Sequence, residues 1–74
     1  MKFNSSWRPG NPLFWALVTQ AINEAANMDE AIGILMSLCI ENDLPVPLRY
    51  TAQLKIQWGL ENFHLAFGKQ PAEN

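Results

Sequence analysis

The chain has a single cysteine and a single histidine in 74 residues. A lone Cys39 excludes an internal disulfide, and one Cys with one His supplies no pair at zinc-ligand spacing. The four glycines (Gly10, Gly33, Gly59, Gly68) are scattered, so there is no glycine-rich loop to cradle phosphate. Cationic residues are also few. Five Lys and Arg against seven Asp and Glu give a net charge of −2 and a pI near 5.1, which offers no long-range attraction for nucleic acid or anionic membranes. No apolar run approaches the roughly 20 residues of a membrane span, and Met1–Arg8 lacks the apolar stretch of a signal peptide. These absences predict a cytoplasmic protein, with no membrane, cofactor or metal partner; a lone Cys suits a reducing compartment.

Catalysis has little to work with. His64 and Glu61, three residues apart, would share a helical face as a carboxylate–imidazole pair. No nucleophile, second ligand or third group stands at a readable spacing from them, so the expected role of His64 is structural. Ser5, Ser6 and Ser37 have no base nearby in the pattern. Cys39 lies between Leu38 and Ile40 and is expected in the core, with a raised pKa and little reactivity. The chain is expected not to be an enzyme.

What is present is apolar: 49% of the residues are hydrophobic, a large share for a chain at the size where one core only just offsets the ordering entropy. Asn11-Pro12 reads as a cap followed by a first-turn proline. From there Phe14, Leu17, Val18, Ala21, Ile22 and Ala25 fall on one helical stripe, predicting a helix from Pro12 to about Ala26. A second helix is predicted over Asp29 to Asn42, capped by Asn27 or Asp29. It carries Ala31, Ile32, Ile34, Leu35, Met36, Leu38, Cys39 and Ile40 and so reads as apolar on all sides, the pattern of a buried helix. Gly33 and Ser37, four apart on one face, would either fill tight space in the core or let another helix approach closely. Pro45 and Pro47 end this element.

The stretch from Leu48 onward supports two readings. Leu48, Tyr50, Ala52, Leu54, Ile56, Trp58 and Leu60 alternate with polar residues and Gly59, the pattern of a strand with one buried face. As a helix from Leu48 to Phe67, it would set Ala52, Ile56, Leu60, Phe63 and Phe67 on one side and Leu54, Trp58 and Leu65 on the other. Its good helix formers, Pro47 at the start and Gly68 as a stop favour the helix. The expected fold is therefore all-α: a compact three-helix domain over residues 11–67, oligomeric, with an extended arm at 1–10 and a fraying tail at 68–74. The alternative is an α+β fold with 48–60 as a strand.

With disulfides and metals closed off, the surplus of apolar surface points to association. The expected function is that of a small regulatory protein that forms a homodimer through the second helix and the Leu54/Trp58 side, and binds and modulates another protein. Its composition is that of small accessory proteins of bacteria and phages. The candidate contacts are Phe3, Trp7 and Arg8 in the arm, Trp15 off the main stripe of the first helix, and Leu54 with Trp58 on the outer side of the third. Between Glu24 and Asp43 lie five acids and no Lys or Arg, an acidic rim. A rival reading is a helix-turn-helix DNA binder that contacts bases through Arg49, Gln53 and Lys55; the acids around the second helix and the long connection weigh against it.

Overall fold

The computed structural model describes residues 12–68. They form three helices, α1 (Pro12–Glu24), α2 (Met28–Glu41) and α3 (Arg49–Asn62), with no strand among the described residues. The arm at 1–10, with Phe3, Trp7 and Arg8, lies outside the described residues, as does the tail beyond Gly68.

The stripe read in α1 is the one that is buried: Leu17, Val18, Ala21, Ile22 and the following Ala25 all face the core. The three-residue turn into α2 is set by Asn27, whose Oδ1 accepts the Glu30 N–H at 3.0 Å, while the Glu30 carboxylate accepts the Ala26 N–H at 2.6 Å. The Asn27 side chain thus satisfies one amide that a helix start leaves unpaired, and Glu30 reaches back to the amide that precedes the cap. Ala31, Ile32, Leu35 and Cys39 then form the core face of α2.

A complete turn closes α2. The Asp43 N–H donates to the Ile40 carbonyl at 3.2 Å and the Leu44 N–H to the Cys39 carbonyl at 2.9 Å, and Asp43 sits at φ 62° in the left-handed region. Glycine usually holds this position. Leu44 packs back on the core. The helix rises about 18 Å from Asp29 to Glu41, and residues 43–48 can span about 20 Å when extended. They return: Arg49, the first residue of α3, binds Asp29 at the start of α2 at 2.6 Å.

α3 runs opposite to α1. Its end (Trp58, Phe63) meets Trp15 near the start of α1, and Gly59 lies against Val18 and Ile22. A Cβ at Gly59 would stand 3.2 Å from both the Ile22 Cδ1 and the Val18 Cγ1, so the missing side chain sets how closely the two helices cross. The helix stops at Asn62, short of the Phe67 expected from sequence. Asn62 Nδ2 donates to the Trp58 carbonyl at 3.0 Å and His64 turns left-handed at φ 57°. Gly68 is neither a helix stop nor loose: its N–H donates to the Ile22 carbonyl at 3.0 Å, and a Cβ there would overlap the Asn23 carbonyl oxygen.

Candidate functional site

Two groups of side chains stand out once the core is accounted for. The first is aromatic. Trp15 and Trp58 pack with ring centroids 4.7 Å apart, and Phe63 meets them edge-on at 5.9 and 5.2 Å. Phe14 adds a further edge-on contact to Trp15 at 5.4 Å. These are favourable quadrupole geometries between rings in mutual contact, which leave no room for a guest between them.

This cluster corrects two expectations. Trp15, placed off the core face by the periodicity of α1, is only 7% exposed, because α3 crosses there and covers it. Trp58 does not share an open outer side with Leu54; it is half-buried against Trp15, whereas Leu54 is exposed. The aromatic group therefore works first as a clamp between α1 and α3.

The second group is the set of apolar side chains left in solvent. Seven large hydrophobics are exposed among the described residues, and five of them fall within residues 40–54: Ile40 (67%), Val46 (44%), Leu48 (77%), Tyr50 (70%) and Leu54 (49%). Tyr50 and Leu54, four apart on α3, are neighbours on its outer face. Ile40 closes the outer strip of α2, which also holds Gly33, Met36 and Ser37 at helical spacing. α2 is thus not buried all round, as its composition suggested. Gly33 and Ser37 do not fill core space either: both are exposed, and a Cβ at Gly33 would meet nothing within 4 Å. Sequence reasoning passed over Ile40, Leu48 and Tyr50 as contact candidates; their exposure depends on how α3 is laid against α2, which periodicity does not encode.

The acids are only partly committed. Asp29 is bound by Arg49, Glu30 caps Ala26, Glu24 accepts from Gln20 at 3.0 Å and Glu61 from Gln57 at 2.8 Å. Glu61 does not pair with His64, which lies beyond the helix end and is exposed. Burial pushes the Cys39 thiol up, as expected for a fully enclosed cysteine. No three His, Cys, Asp or Glu side chains among the described residues gather to hold a metal ion, and no helix is long and apolar enough to cross a membrane. Of the DNA-contact candidates, Arg49 is engaged by Asp29, Gln53 is exposed and Lys55 is half-buried. Gln53 and Lys55 point about 160° apart around α3 and do not share a face. Seven residues separate α2 from α3, longer than a helix-turn-helix connection.

No protein-family model, curated protein or solved structure matches the chain.

Proposed function

We propose that the chain is a small, non-enzymatic cytoplasmic interaction protein, which self-associates and binds and modulates another protein. The supporting observation is the concentration of exposed apolar side chains between Ile40 and Leu54. Each exposed branched or aromatic side chain adds of order 1 kcal/mol to association when a partner covers it. The buried thiol of Cys39 suits a reducing compartment.

The test is affinity capture with the full chain beside its Tyr50→Lys/Leu54→Lys variant. Both positions are exposed, so the variant should melt within a few degrees of the parent. A specific protein retained by the parent and lost with the variant supports the reading. Capture of the same set by both, or of none by either, overturns it. Trp58 is unsuited to this test, since removing it also breaks the ring contacts that join α1 to α3.

A further inference from the structure

The connection between α2 and α3 is built from a second kind of helix. Pro45 and Pro47 fix their own φ at about −65° and hold Leu44 and Val46 extended. Leu48 stands at φ −66° and ψ 155°, in the polyproline II region. Such a helix has about three residues per turn, and burial along the segment follows that period. Leu44 and Pro47 are half-buried on one edge, with Leu44 on the core. Pro45 and Leu48 are exposed on the second edge, Val46 and Arg49 on the third. The length agrees. At a rise of about 3.1 Å per residue the run from Asp43 to Arg49 covers about 19 Å, close to the rise of about 18 Å in the α2 helix that it runs back along.

We infer that residues 44–49 form a polyproline ridge that docks into a partner protein's groove lined by parallel tyrosine and tryptophan rings. The inference rests on the proposal above that the chain binds another protein, and names the kind of partner. Shape, hydrogen-bonding pattern and rigidity each favour such a groove. A groove meets a three-edged rod on two edges, and the ridge offers two, bearing Pro45, Val46 and Leu48, while the third stays on its own core. Its backbone is rich in acceptors and poor in donors. Pro45 and Pro47 have no N–H, and the Leu44 N–H is spent on the Cys39 carbonyl. No hydrogen bond among the described residues engages the carbonyls of Leu44, Pro45, Val46 or Pro47. That pattern suits indole N–H and phenol O–H donors and makes a poor template for sheet pairing. The ridge is also set before contact, by the turn at Asp43 on one side and the Arg49–Asp29 bond at 2.6 Å on the other. Little ordering entropy is left to lose on docking.

The test is calorimetric titration of the full chain into a panel of purified SH3 and WW domains, whose grooves have this chemistry, with thermal melts as the folding control. Binding by at least one domain is expected, weakened about tenfold or more by Val46→Lys and by Leu48→Asp, one on each exposed edge. Leu48→Asp should melt at or above the parent, because aspartate at this N-cap bonds the first amides of α3, where leucine makes no such bond. Leu54→Lys, exposed on α3 but off the ridge, should leave the affinity unchanged. Binding that both ridge variants retain, or that Leu54→Lys abolishes, overturns the docking mode. If no domain binds while the parent still captures a specific protein by affinity, the ridge is overturned and protein binding stands on another surface. If the parent captures none either, both fall.

Discussion

The aromatic cluster and the exposed stretch from Ile40 to Leu54 draw on the same class of residue and treat it in opposite ways. At the first, Trp15, Trp58 and Phe63 turn their rings on one another and join the start of α1 to the end of α3. At the second, Ile40, Leu48 and Tyr50 remain mostly in water. Hydrophobicity does not separate the two groups; position relative to a crossing helix does. The lesson is that in so small a domain the fold encloses some of its large apolar side chains with one another and leaves others exposed.

That contrast can be attacked in order of expected effect. Trp15→Ala removes the centre of the aromatic cluster and should cost about 3–5 kcal/mol in urea unfolding, a large fraction of the stability of any domain this size. Gly59→Val drives two methyl groups into Val18 and Ile22, already 3.2 Å from the position of a Cβ, and should cost about 2–3 kcal/mol by the same measurement. At one exposed position the sign reverses. Asp43→Gly relieves a left-handed residue at the end of α2 and should raise stability by about 1 kcal/mol. Leu54→Lys should change it by less than about 0.5 kcal/mol, the range of ordinary surface substitutions. If Trp15→Ala proved no costlier than Leu54→Lys, the contrast between the enclosed rings and the exposed side chains would fail.

Cys39 adds a pH dependence to the closed core. Its folded pKa is raised above the ordinary value of 9.0 by burial, so the unfolded chain gives up the thiol proton first. The stabilisation is complete below the unfolded pKa and is lost as pH rises through the folded one. Melting points measured across pH 8 to about 11 should therefore fall more steeply for the parent than for Cys39→Ala.

The start of α1, the stripe from Leu17 to Ala25, the Asn27 cap and the helical state of residues 49–62 were legible in the sequence, because each rests on local chemistry. The strand-like alternation of 48–60 was a coincidence of composition. Leu48, Tyr50 and Leu54 are exposed, and the buried face of α3 is Ala52, Ile56 and Gly59. Small residues mark where helices touch, and a reading weighted by hydrophobicity passes over them. Trp15 was misplaced for the complementary reason: the element that covers it comes from more than 40 residues away. The end of α3 was overrun because Asn62 and a left-handed His64 stop it where no glycine stands. The outer strip of α2 was legible as residues, but not as surface, since only the placement of the other two helices shows which face of α2 they leave uncovered.

The hydrogen bond from Gly68 to Ile22 fastens together points 46 residues apart, from 68 back to 22. An amide in that position is released to solvent only when the segment after α3 lifts from α1, so its exchange with deuterium would read the opening of this clasp separately from the unravelling of any helix. Exchange of Gly68 as slow as that of the Ile22 amide would mean that the last described residues belong to the cooperative unit. Any label carried beyond Gly68 would then emerge beside the turn between α1 and α2, at a fixed place on the molecule.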